Sequence, residues 1–375
     1  VQVYSAPGRA ELGGNHTDHQ HGYGLAAAVT LDLVAVAARN TDGYVRVKSR
    51  GFNKLDVIDL TVAGPQEGEG THSASLIRGI AEGFRTVGKT VGGFDAYTAS
   101  DVLRGSGLSS SAAFEMGMAV IWNGEYDCGL TPTELAKICQ YAENTYFGKP
   151  SGLLDQLTSA VGGIIFADFA DPASPQIEKI HTDGLLPPGM SLCVTDTRGS
   201  HSELTSEFAA IRKEMEQVAG TLGKKVLGQV TESEFWAALP ELRSKCGDRA
   251  VLRAIHYFEE NTRTLAQRDA LQAGRFAAFA ALVLESGRAS FALCQNVYCS
   301  TDVRHQGLSV ALALSQCILQ GSGAWRMQGG GFAGTIQAYV PRNLLERYHS
   351  EIERVFGAGS CYVLRLREQG AVRVG

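Results

Sequence analysis

Midway along the chain, the stretch DGLLPPGM (183–190) admits neither a helix nor a central strand, because its adjacent prolines lack backbone donors and clash with a preceding helical turn. A fresh strand pattern, SLCVTDT, begins directly beyond it. The 375 residues also exceed what one core ordinarily serves. The turn therefore predicts two lobes, residues 1–186 and 187–375, with a cleft between them.

Both halves mix strand and helix periods, which predicts α+β lobes. YVRVKS (44–49) alternates as a half-buried strand, and LDLVAVAA before it is apolar enough to be covered on both faces. Leu76, Ile77, Ile80, Phe84 and Val87 recur at helical spacing. Thr131, Pro132 and Glu134 form a capping box with proline at the first helical position, opening a helix whose Leu135, Ile138, Cys139, Ala142 and Tyr146 share a face. GGIIFADF follows as a strand. In the second half, helical faces recur at Leu204, Phe208, Ile211, Met215 and Val218, and at Leu344, Leu345, Tyr348, Ile352 and Val355 with Gly357 as C-cap. TIQAYV and CYVLRL are strands.

The stretch GRAELGGNHTDHQHG (8–22) is too polar for a core strand, and such crowding of Arg9, Asn15, His16, Asp18, His19 and His21 in a loop between apolar runs marks a site. Three glycine-rich stretches compete as phosphate binders. GFRTVGKT (83–90) fits the P-loop pattern letter for letter, but it follows a helix and precedes a strand, the reverse of what surrounds phosphate with helix amides; Gly88 reads as a helix cap. GSGLSSSAAFEMGMAVIW (105–122) has the right order. Gly105 and Gly107 permit a tight turn, and Ser109, Ser110 and Ser111 can cap the following helix and reach phosphate oxygens or Mg²⁺. The third, MQGGGFAGT (327–335), reads as a turn between a helical segment and TIQAYV, its Gly329, Gly330 and Gly331 allowing close backbone approach. Taken on residue chemistry alone, Arg9 is a surface ion-pair residue and Asp155 a helix cap.

Several function classes fall away. A net charge of −5 without any Lys/Arg cluster argues against a nucleic-acid partner, and no apolar run looks long enough to span a bilayer, which argues against a membrane. The eight cysteines are scattered singly without a CxxC pair, reading as reduced, mostly buried thiols of a cytoplasmic protein without structural zinc. Val1 already stands in strand alternation, so a preceding segment is expected. Nothing fixes the oligomeric state, and a monomer suffices.

Together the loops resemble the signature motifs of the galactokinase group of the GHMP small-molecule kinases. GRAELGGNHTDHQHG is similar to the signature in which Gly-Arg precedes a Glu-His-Thr-Asp core, GSGLSSSAAFE to the phosphate loop, MQGGGFAGT to the third motif, and AENTYFGKPSGLLDQLTSAVGG (142–163) to the segment carrying the catalytic aspartate. The four lie in family order. The resemblance implies a two-lobed α+β kinase, with an N-terminal ribosomal-protein-S5-like α/β lobe, a C-terminal ferredoxin-like α+β lobe, and ATP with Mg²⁺ meeting a small-molecule sugar in the cleft. It implies Asp155 beside the anomeric hydroxyl with Arg9 as cationic partner, and a phosphate cradle of Gly105, Ser106, Gly107, Leu108, Ser109, Ser110, Ser111 and Ala112 with Ser111 on Mg²⁺. Asn15, His16, Asp18, Gly152, Asp155 and Phe208 fall at sugar positions, and Gly329, Gly330 and Gly331 form the third-motif loop.

Three positions depart from the pattern: Asn15 replaces the usual Glu, His19 a Tyr, and Phe208 a sugar-contacting Tyr. Galactose is the expected substrate. The loss of a carboxylate at Asn15, with positive charge from His19, also suits a C6 carboxylate, so galacturonate is the alternative. From another class, a non-catalytic sugar and ATP sensor is opposed by the intact Arg9, Ser111 and Asp155.

Overall fold

The computed structural model describes residues 1–102, 107–149, 151–181, 186–199 and 205–374. In chain order, the first part contains β1 (Gln2–Gly13), β2 (Tyr23–Arg39), β3 (Tyr44–Ser49), β4 (Leu55–Asp59), α1 (Ser73–Thr86), β5 (Phe94–Ser100), α2 (Ser110–Glu125), α3 (Pro132–Tyr141), α4 (Leu154–Val161), β6 (Ile164–Asp168) and β7 (Gln176–Ile180). Then follow β8 (Met190–Asp196), α5 (Thr205–Thr221), α6 (Glu232–Ala237), α7 (Leu239–Cys246), α8 (Asp248–Gln272), α9 (Phe276–Ala289), α10 (Gly307–Leu319), β9 (Ala324–Gln328), β10 (Thr335–Pro341), α11 (Arg342–Phe356), β11 (Cys361–Leu364) and β12 (Val372–Arg373).

The first sheet runs β12-β1-β2-β5-β3-β4, with β6 and β7 added along the near half of β2. β2 changes character along its length. Ala26, Ala27 and Ala28 are sealed on both faces, whereas Val34 and Val36 stand 38% and 42% exposed. LDLVAVAA is thus a one-face strand, contrary to the sequence expectation, because the helices cover only one side of this part of the sheet. There Phe84, Phe94 and Trp122 meet, the Trp122 ring edge-on to Phe94 at 5.0 Å.

The second sheet is antiparallel in the order β11-β8-β10-β9, a ferredoxin-like arrangement. The helical face of α11 buries Tyr348 and Ile352 as expected, and Gly357 ends the helix at φ +93°, but Val355 in the last turn stands 43% exposed, off the expected face. The third glycine motif, however, follows strand β9 rather than a helix: AWRMQ is too short and too fully paired to be helical, so the motif is the tip of a β9–β10 hairpin.

The two sheets share one core. Leu192, Val194, Phe279, Val283 and Tyr339 pack into the same buried cluster as Tyr4, Leu25 and Trp122. The chain also crosses back: β12 pairs with β1, Gly163 N donates to Arg367 O at 2.8 Å, and Ala371 N donates to Ser159 O at 2.8 Å. The 19 residues 276–294 form one continuous helical stretch of mean hydropathy 1.4, so one run does reach membrane-spanning length, contrary to expectation. Its Phe279, Val283 and Ser286 are buried within the protein. All eight cysteines are free, six of them buried. The P-loop look-alike is the end of α1, closed by Gly88 at φ +77° with its amide on Arg85 O.

Candidate functional site

β1 carries the polar stretch further than its composition suggested. Arg9 and Glu11 lie on the strand, not in a loop, and are only 6% and 8% exposed. Register shifts beside Pro7/Arg9 and Glu11/Gly13 re-aim their side chains, and each charge has a partner from another element. Glu11 takes Arg326 from β9 at 2.6 Å. Arg9 takes Asp155 from the first turn of α4 through two parallel hydrogen bonds, Nε to Oδ1 at 2.7 Å and Nη2 to Oδ2 at 2.8 Å. Arg9 is therefore no surface ion-pair residue, and Asp155 does not spend its carboxylate on its own helix.

Ser109 donates to the same carboxylate, Oγ to Oδ2 at 2.6 Å. It precedes α2 at φ +59° and makes no side-chain cap, contrary to the expected capping role. Arg9 Nη1 reaches the carbonyl of Gly107, and the Arg9 amide donates to Leu108 O at 3.0 Å. Burial pushes the Asp155 carboxyl up, but the Arg9 charge and the hydrogen bonds from Arg9 and Ser109 more than reverse this, holding it below the ordinary aspartate range. One such pair, broken from one side, leaves an uncompensated charge costing about 3–5 kcal/mol.

Beyond Gly13 the turn is left-handed at Gly14 (φ +82°) and at His16 (φ +60°), a conformation that side chains rarely adopt unless their surroundings impose it. The clamp comes from α8. The fully buried Glu260 accepts from the amides of Gly14 at 3.3 Å and Asn15 at 3.5 Å and from Ser286 Oγ at 2.7 Å, while His256 Nε2 donates to Asn15 O at 2.9 Å.

These elements enclose a cavity of about 500 Å³. One wall holds Arg9, Asp155 and the start of α2 with Ser109, Ser110 and Ser111; another holds His16, Asp18, His19 and Gly152; a third holds Phe208, Arg212, Gly329 and Gly330. Asp18 is pushed up to about 6, first by burial and further by the Asp155 and Glu11 charges. His16 and His19 form a one-directional chain. Gln20 Nε2 donates to His19 Nδ1 at 3.2 Å, His19 Nε2 to His16 Nδ1 at 3.3 Å, and His16 Nε2 to Gly330 O at 2.9 Å, the carbonyl fixing both tautomers. Burial drags His16 down to about 4 and His19 well below its usual value. His19 is accordingly neutral near pH 7, not a source of positive charge as the sequence suggested. Phe208 borders the cavity and also packs, edge-on to Phe332 at 5.4 Å. Gly105 and Ser106 lie outside the described residues. Leu108 and Ala112, expected in the phosphate cradle, are buried and do not line the cavity.

Sequence reasoning missed Glu143, Lys149, Arg212, His256, Glu260, Asn296 and Arg326. Glu143 sits in a π-helical turn (Ala142–Phe147), a local widening common at functional sites. It pairs with Lys149 at 2.7 Å and takes Gln156 Nε2 at 2.9 Å. Among the described residues no group of three His, Cys, Asp or Glu could hold a metal. The donors fit instead a Mg²⁺ that would arrive on nucleotide phosphates and need one or two protein oxygens, of which the Ser111 hydroxyl stands on the cavity wall.

The chain matches known proteins along its length. The family model described as GHMP kinases N terminal domain matches residues 75–163, and the galactokinase galactose-binding signature matches residues 2–39. A galactokinase of Streptomyces coelicolor is 32% identical over 371 residues, spanning 98% of this chain and 91% of that protein. Among solved structures, Lactococcus lactis galactokinase complexed with galactose superposes with a TM-score of 0.86 at 24% identity, covering 100% of this chain and 95% of the other. A D-glycero-D-manno-heptose 1-phosphate kinase from Bacteroides thetaiotaomicron superposes with a TM-score of 0.68 at 16% identity, covering 100% and 99%.

Proposed function

The chain belongs to the galactokinases, within the GHMP kinases, and from that membership we propose that it transfers the γ-phosphoryl group of ATP to the anomeric hydroxyl of D-galactose. The observation that carries the reading is the Arg9–Asp155–Ser109 cluster, standing where the sugar-binding turn meets the start of α2. The two lobes around it divide near residues 186 and 187, except that β12 (Val372–Arg373) returns to the first sheet instead of staying with the second lobe.

Asp155 keeps its side chain 31% exposed toward the cavity, so a lone pair remains for a sugar hydroxyl. A carboxylate held below its ordinary range is a weak proton acceptor, so its main work is to orient the attacking oxygen and to fix Arg9. Arg9 stays charged and, spanning Asp155 and Gly107, stabilises charge that spreads over the transferring phosphoryl group. Asp18, His16 and Gly152 hold the ring, and the amides and hydroxyls from Gly107 to Ser111 receive the phosphates at the N-terminus of a 16-residue helix. Mg²⁺ bound with ATP would neutralise phosphate charge, and Ser111 would supply its protein oxygen. The free thiols suit the cytoplasm, and the site is complete within one chain.

Galacturonate loses its two supports, since His19 is neutral and the Asn15 amide is occupied elsewhere. The test is ATP consumption with galactose, galacturonate, glucose and N-acetylgalactosamine in parallel, with the product identified as a 1-phosphate. Preference for galacturonate, or binding without turnover, would overturn the reading.

A further inference from the structure

The usual glutamate at position 15 is here an asparagine whose every strong donor is already committed. Asn15 borders the cavity yet is only 1% exposed. Its Nδ2 donates to Glu11 Oε1 at 3.0 Å and to the carbonyl of Gly329 at 2.7 Å, and its Oδ1 accepts from Asn296 Nδ2 at 2.9 Å. Gly329 O can only accept, so the amide orientation follows from chemistry. Asn296, fully buried, also donates to Gly330 O at 3.1 Å. An amide nitrogen has two hydrogens, and both are spent inside the protein.

The loop thus held is not a bystander. Gln328, one residue before it, donates to Gly107 O at 3.3 Å, and Gly330 O receives His16 at 2.9 Å. A methyl on Gly330 would meet Phe208 Cε1 at 2.5 Å, so the loop also sets where Phe208 stands on the cavity wall. A carboxylate at position 15 would lose both donors and face the Glu11 carboxylate across the same short gap.

We propose that Asn15 is a positioning residue and not a sugar contact: with Asn296 it latches the Gly329–Gly330 loop onto the sugar-binding turn, and the shape of the sugar pocket depends on that latch. The proposal rests on the galactokinase reading for its assay. It also separates this chain from relatives carrying glutamate at that position, for in this chain residue 15 has no donor left to read the C6 end of a sugar.

The experiment removes the C6 hydroxyl from the sugar and the donors from the protein in one cycle. Wild type and Asn15→Asp are compared on D-galactose and on 6-deoxy-D-galactose. The isosteric carboxylate should lower kcat/KM about 100-fold, from two lost bonds and a like charge beside Glu11, and by the same factor within about threefold for both sugars. A loss that largely disappears with the 6-deoxy sugar would mean that Asn15 touches the C6 hydroxyl, and would overturn the proposal. The loss should fall on KM for the sugar, with KM for ATP within about threefold; an equal rise in both would also count against the latch. Should Asn15→Asp not fold, Asn296→Asp, which leaves residue 15 in place, should show the same sugar-independent loss, and wild-type activity or a C6-dependent loss there would refute the idea. Failure of wild type to phosphorylate galactose at all would instead fall on the proposed function.

Discussion

A methyl group placed on Gly152 would lie 1.6 Å from Oδ2 of Asp18. The two residues come from different elements, the loop before α4 and the turn after β1, and only a missing side chain lets them touch. Gly152→Ala should therefore push the Asp18 carboxylate aside. The expected outcome is a rise of at least about tenfold in KM for the sugar with KM for ATP within about threefold and an unchanged circular dichroism spectrum, measured by steady-state kinetics.

Asp155→Asn keeps the shape and removes the charge that Arg9 grips. Turnover should fall by about two to four powers of ten while sugar still binds, as read by isothermal titration. Ser109→Ala removes one hydrogen bond to a charged acceptor and should cost only about tenfold in kcat.

Asp18 titrates at about 6, and its ionised form is the better acceptor for ring hydroxyls. kcat/KM for the sugar should rise with pH through a midpoint near 6 and level off above it. His16, at about 4, cannot produce that limb. In Asp18→Asn the limb should vanish together with most of the sugar affinity; a limb that persists would assign it elsewhere.

Burial alone would raise Glu260, yet the surrounding His256, Arg326 and Arg263 bring it down to about 2. An unfolded glutamate titrates near 4.3. The native state therefore binds fewer protons than the unfolded one between those values, and the stability gained is complete above about pH 4.5 and lost as pH falls toward 2. It is worth on the order of 3 kcal/mol. Urea unfolding at pH 5 and pH 3 should show a difference that Glu260→Gln removes, although the variant starts less stable.

Removing Mg²⁺ with a chelator should abolish turnover, and Ser111→Ala should raise the Mg²⁺ concentration needed for half-maximal rate severalfold without changing KM for the sugar.

What the sequence disclosed and withheld follows from range. Local chemistry was legible: the Thr131 capping box forms as written, with Glu134 closing it, and Gly357 ends α11. The loop order placed Arg9, Asp18, Ser111 and Asp155 around one cavity. The partners that make Arg9 and Glu11 tolerable inside a strand are 146 and 315 residues away, and no periodicity announces them. For the same reason Glu260 and His256, in a segment with no motif of its own, gave no hint that they clamp the turn at Gly14 and Asn15. β9 was missed because five residues with Trp325 and Met327 fit either period until a partner strand is known.

The pairing of β12 with β1 has a meaning for biosynthesis. The residues that pair with Tyr4 and Ser5, Arg373 and Val372, are made more than 360 positions after them. Until then the outer edge of β1 at Tyr4 and Ser5 presents unpaired backbone groups to any neighbouring chain. A nascent polypeptide held in that condition needs shielding, and a copy cut before residue 372 would keep that stretch of edge open permanently, an invitation to clumping that the last turn of the chain withdraws.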